Sequence, residues 1–118
     1  MKTNEPSDAE IEQTYRLLKK AVEAKGHYFN PDVSFTKQLI RGLLVNRNRY
    51  GYMSCPCRVA SRDIKKDADI ICPCAYRNAD VAEYGTCYCG LYVSEEVKNG
   101  KKTVQPIPER RPPEKFMA

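Results

Sequence analysis

Apolar residues recur at helical spacing through the first third of the chain and then lose their period. Ile11, Tyr15, Leu18 and Val22 fall on one face of an amphipathic helix predicted over residues 8–25, with Gly26 as its stop. Ser7 and Glu10 stand at the spacing of a capping box. A second helix is expected to begin near Asn30-Pro31-Asp32, where Pro31 suits the first turn, and to end by about Asn46. Phe35, Leu39 and Leu43 form its stripe, and Ile40 and Leu44 widen it. Both stripes read as core.

From Arg47 onward the pattern breaks. Arg49 to Ser54 reads as an extended or turning lead-in to Cys55. Ser61 is placed to cap a short helix through about Lys66, and Asp67 or Asp69 another that leads to Cys72. A further short helix is expected after Cys74, and a last one at Ser94-Glu95-Glu96, closed near Gly100. Strand signals are few. Four prolines between Val104 and Pro113 predict an extended, partly mobile tail. The expected organisation is one small, mainly α domain of helices and Cys-bearing loops over residues 1–100, then a Pro-rich tail over residues 101–118.

Composition narrows the function classes. The 118 residues are 42% apolar and 30% charged and include no Trp, so the core is modest and an internal staple would help. No apolar run approaches the roughly 20 residues that span a bilayer. The first residues lack the apolar centre of a signal peptide, and the acids after them argue against a transit peptide. The expected compartment is a reducing cytoplasm, where thiols serve metals or catalysis more often than structural disulfides. Charge is graded: residues 31–66 hold eight Lys/Arg against two acids, whereas residues 67–100 hold two against six. The basic block surrounds the first cysteines and reads either as a solvated face or as a docking patch for an acidic partner. Nucleic acid is not favoured, because the aromatics form no stacking platform.

The chemistry is concentrated in six cysteines, all in Cys-x-Cys pairs: Cys55-Pro56-Cys57, Cys72-Pro73-Cys74 and Cys87-Tyr88-Cys89. Residues i and i+2 of an extended segment project to one side, so each pair can aim two thiols at one point. Pro56 and Pro73 bias the preceding cysteine towards extended geometry. Four thiolates saturate a [4Fe–4S] cubane or a structural zinc, which leaves two over. A zinc site, a simple cubane carrier, a cubane beside a redox-active dithiol and a disulfide framework all remain open on spacing alone.

In this order the three pairs resemble the catalytic (beta) chain of ferredoxin:thioredoxin reductase, over roughly residues 8–98. The resemblance implies a small, flat, mainly helical domain folded around one [4Fe–4S] cluster beside a disulfide. Carried over by motif position, Cys55, Cys72, Cys74 and Cys87 would ligate the cluster. Cys57 and Cys89 would form the active disulfide, with Cys57 the exposed interchange thiol and Cys89 the one that engages the cluster. The implied donor is a ferredoxin and the implied acceptor a thioredoxin-like or glutaredoxin-like protein, with a small second subunit left open. The photosynthetic members carry Cys-His-Cys where this chain has Tyr88, which suggests a non-photosynthetic bacterial or archaeal branch. A phenol is a poor base near neutrality, so Tyr88 would position, donate a hydrogen bond or pack. His27, the single histidine, sits at a junction between helices and reads as structural. Two other functions stay open: a non-enzymatic [4Fe–4S] carrier or partner-binding subunit, and a structural zinc-binding module.

Overall fold

The computed structural model describes residues 5–115. About half of the chain is helical, and the elements follow one another as α1 (Asp8–Ala24), β1 (Tyr28–Phe29), α2 (Val33–Tyr50), α3 (Arg77–Tyr84), β2 (Tyr92–Val93) and α4 (Glu95–Lys98). Single 3₁₀ turns occupy Ala68–Ile70 and Pro113–Lys115. The molecule is flattened, 44 × 38 × 22 Å along its principal axes.

α1 starts at the expected capping box. The Glu10 N–H donates to Ser7 Oγ and the Ser7 N–H to Glu10 Oε1, both at 3.1 Å. Its face carries Val22 into the core, with Ile11, Tyr15 and Leu18 partly buried around it. α2 is capped by Asp32, whose Oδ1 accepts the Phe35 N–H at 3.1 Å. It runs one turn past the expected end at Asn46. Arg47 and Arg49 favour the negative end of the helix dipole, and Gly51 closes it with φ of 88°.

The buried face of α2 is rotated from the expected stripe. Thr36, Ile40, Leu43 and Leu44 are inside, whereas Phe35 is 37% exposed. Thr36 can be inside because its hydroxyl donates to the Asn30 carbonyl at 2.9 Å, which satisfies the buried polar atom. The small sheet pairs β1 and β2 antiparallel, with Tyr28 opposite Val93 and Phe29 opposite Tyr92. It brings the Phe29 ring against Tyr15 of α1, centroids 5.3 Å apart, and Leu91 and Tyr92 join the same core with Ile70 and Val81.

The helix expected from Ser61 to Lys66 is a pair of turns. Ser61 Oγ accepts the Asp63 N–H only two residues on, at 3.1 Å, and Arg62 adopts φ of 74°, which interrupts helical geometry. Ser94 does cap α4, accepting the Val97 N–H at 3.4 Å.

Beyond Lys101 the chain is extended, as its prolines predict, but it is tied down as a strap. Arg110 Nε lies 2.7 Å from the fully buried Asp80, and Arg111 Nε lies 2.8 Å from Asp69. The Arg111 side chain is itself only 2% exposed. The acidic block of residues 67–100 thus finds its cations in the strap, while Lys37, Arg41 and Arg47 pair with Glu12, Glu5 and Glu10 at the start of the chain. Among the described residues no helix is long and apolar enough to cross a membrane.

Removing one partner of a buried ion pair costs about 3–5 kcal/mol, so Arg111→Met is expected to lower the denaturation midpoint by that order of stability. The strap also carries a pH signature. Burial pushes Asp69 up, but hydrogen bonds from Arg111 and Tyr76 outweigh it and hold the carboxyl below its usual range. Glu109 is likewise held low, because Arg58 outweighs its burial. Carboxyls depressed in the folded state stabilise fully above their unfolded values, about pH 4, and lose that contribution as pH falls through the folded values. Acid titration of unfolding should therefore be shallower in Arg111→Met than in the native protein.

Candidate thiol centre

Three loops carry the cysteine pairs, and backbone hydrogen bonds fix their spacing. The Cys55 N–H donates to the Ile70 carbonyl and the Cys72 N–H to the Met53 carbonyl, each at 2.8 Å, which stitches the first loop to the second. The Cys72–Pro73 peptide is cis. The third pair sits in the turn before β2, where the Cys87 N–H donates to the Tyr92 carbonyl at 2.9 Å. Asn30 holds that turn from β1, its Nδ2 donating to the Gly90 carbonyl at 3.0 Å.

The first loop lies against α2 at Gly42. A Cβ built there would meet Pro56 Cβ at 2.9 Å, closer than real Cβ contacts come. The glycine in mid-helix is therefore explained by the close approach of the Cys-Pro-Cys segment.

Five thiols, those of Cys55, Cys72, Cys74, Cys87 and Cys89, line a single pocket. Cys57 stands apart. It is the one exposed cysteine of the six, and it lines an adjoining surface groove with Val59 and with Glu109 and Arg111 of the strap. Arg58 and Tyr88 line both spaces and form the partition between them. The Arg58 guanidinium lies 4.6 Å from the Tyr88 ring centroid and 5.4 Å from that of Tyr76.

Protonation follows from this crowding. Cys89 Sγ lies 3.7 Å from Cys87 Sγ. Hydrogen bonds to Cys55, Cys57 and Cys87, with burial added, push its thiol well up. The same bonds from Cys55 and Cys89 pull Cys57 down to about 4, against the cost of burial. Burial pushes Cys72 up to about 12, although the Tyr92 hydroxyl at 3.3 Å from its sulfur opposes the shift. The Tyr92 N–H donates to Cys87 Sγ, also at 3.3 Å.

The donor set suits an iron–sulfur cluster. Soft thiols surround one pocket, and Cys87 Sγ accepts the Tyr92 N–H, a hydrogen bond of the kind that tunes such centres. Arg58 Nη1 is buried without a hydrogen-bond partner on the pocket wall, a donor suited to an anionic sulfur centre. Among the described residues no three His, Cys, Asp or Glu side chains are grouped to hold one metal ion.

Tyr88 is placed beside the pairs, under Arg58. His27 is not: it lines a separate groove with Asn78 and Glu95, and its Nδ1 is buried without a partner. Sequence reasoning missed Glu109, Tyr92 and Gly42 and gave Arg58 no individual role. The only local clue was a glycine inside an otherwise helical stretch.

A small helical scaffold that presents six thiols from three loops to two adjoining spaces defines a thiol-centred domain. Comparison with known proteins agrees: residues 4–111 match the family described as "Ferredoxin thioredoxin reductase catalytic beta chain", and the chain belongs to that family. It is similar to the "Ferredoxin-thioredoxin reductase catalytic chain, chloroplastic" of Arabidopsis thaliana, with 28% identity over 97 residues. The alignment covers 78% of this chain and 62% of that relative's length. The family read from the three cysteine pairs is thus the one that the comparisons show.

Two outcomes follow from the packing. Gly42→Ala should lower the unfolding temperature even though alanine gains up to about 1 kcal/mol of helix propensity, because Pro56 must move. Brief iodoacetamide treatment of the native reduced chain should label Cys57 first, with Cys55, Cys87 and Cys89 labelled only after denaturation; peptide mass spectrometry reads the order.

Proposed function

We propose that this chain is an iron–sulfur disulfide reductase, taking single electrons from a ferredoxin and reducing a thioredoxin-like or glutaredoxin-like protein. The observation that carries the reading is the division of the thiols: five around one pocket and one, Cys57, at the surface beside it. Cys55, Cys72, Cys74 and Cys87 are the proposed ligands of a [4Fe–4S] cluster. When bound, that group supplies a store for one electron at a time next to a reaction that consumes two.

The remaining thiols, Cys57 and Cys89, are the proposed dithiol; Arg58 and Tyr88 border both the pocket that Cys89 lines and the groove that Cys57 lines, which supports the pairing. The Cys57 thiolate attacks the acceptor's disulfide and forms a mixed disulfide. Cys89 then attacks Cys57 Sγ, the acceptor leaves with both of its sulfurs as thiols, and a Cys57–Cys89 disulfide remains. Two electrons from two ferredoxins and two protons reopen it.

Tyr88 packs beneath Arg58 at this dithiol, where the photosynthetic members of the family carry histidine. It is proposed as an orienting neighbour rather than a base, and its presence suggests a non-photosynthetic branch. The direction is downhill: a plant-type ferredoxin near about −400 mV and a thioredoxin near about −270 mV differ by about 130 mV, roughly 6 kcal/mol for two electrons.

Separate Cys57→Ser and Cys89→Ser variants, purified anaerobically, test the reading. Each should retain iron and acid-labile sulfide while losing reduction of thioredoxin by reduced ferredoxin; Cys55→Ser should lose the cluster. Retained disulfide reduction in Cys57→Ser would leave a plain electron carrier. A colourless protein holding one zinc would replace the reading altogether.

A further inference from the structure

Glu109 is the strap residue most tightly bound to the thiol centre. Arg58 Nε and Nη2 donate to its two carboxylate oxygens at 2.7 and 2.6 Å, a fork-to-fork pair between residues distant in sequence. The Arg58 side chain is 3% exposed, and the Arg111 N–H donates to Glu109 at 2.9 Å. Arg111 is anchored in turn on Asp69, so the carboxylate that holds Arg58 is itself held. Of the pair, only Arg58 lines the pocket of five thiols; Glu109 reaches only the outer groove.

Resting on the cluster reading above, we propose that Glu109 is a positioning residue: it fixes Arg58 as the positive wall of the thiol pocket and thereby sets the reduction potential of the cluster those thiols hold. The physical argument is one of distance and dielectric. A buried cation beside a centre that gains negative charge on reduction favours the reduced form, and a more distant carboxylate partly cancels it. Glu109 thus acts twice, by aiming the guanidinium and by moderating its field. Glu109→Gln keeps one oxygen that accepts from Arg58, with the Tyr76 and Tyr88 rings flanking the guanidinium, so the aim is retained while the charge is removed.

The test is an anaerobic redox titration of the cluster-loaded full chain, followed by electron paramagnetic resonance, on Glu109→Gln, Glu109→Asp and Arg58→Met. Glu109→Gln should raise the midpoint by about tenfold in the one-electron equilibrium, about 59 mV. Arg58→Met should lower it by a similar factor, and Glu109→Asp should restore the native value. Midpoints that do not move, or that move in the same direction in Glu109→Gln and Arg58→Met, overturn the proposal, even if both variants unfold more easily. Should Arg58→Met fail to load, the rise in Glu109→Gln and its reversal in Glu109→Asp decide alone. A native chain without iron and sulfide defeats the cluster reading itself, whereas a loaded chain with unmoved midpoints defeats only the role of Glu109.

Discussion

Sulfur atoms that share a buried pocket must be supplied with protons, metal or cations, because several thiolates cannot stay charged together at low dielectric. The arrangement around the five inward thiols answers that demand. Crowding by its neighbours and burial push the Cys89 thiol well up, Tyr92 offers its N–H to Cys87 Sγ and places its hydroxyl against Cys72 Sγ, and Arg58 brings a permanent charge to the wall. A buried arginine needs an anion of its own, and Glu109 provides it. The strap is in turn fixed by the buried Asp80 and the half-buried Asp69, which pair with Arg110 and Arg111. Each layer therefore exists to satisfy the charge of the one inside it.

What was legible in the sequence follows the range of the interactions. α1 and its capping box are local, as is the Ser94 cap, and both were readable from a few residues. The end of α2 was misplaced because Arg47 broke the apolar period, although arginines in a last turn followed by Gly51 are a stop signal of their own. Phe35 took the place of Thr36 in the expected core because hydrophobicity alone does not anticipate a hydroxyl satisfied by the Asn30 carbonyl. The two-residue strands were invisible because each is too short to show alternation, and their pairing joins residues some sixty positions apart.

The cysteines themselves could be found at once, but their surroundings could not. Nothing near Cys57 indicates that Arg58 meets Glu109, since a lone arginine and a lone glutamate carry no spacing signal. The strap read as loose because prolines forbid regular structure, and sequence alone does not distinguish an extended segment that is anchored from one that is not. The family match extends through Arg111, so the anchoring residues lie within the matched stretch.

The position of Arg110 and Arg111 late in the chain has a consequence for biosynthesis. A ribosome delivers the three cysteine loops well before these arginines, and domains organise from the N-terminus as they emerge. Until Glu109, Arg110 and Arg111 have emerged, Asp69 and Asp80 lack these cations and Arg58 lacks its carboxylate. The cysteine loops are therefore made before the side chains that neutralise their surroundings, and the strap is what completes folding around the thiols.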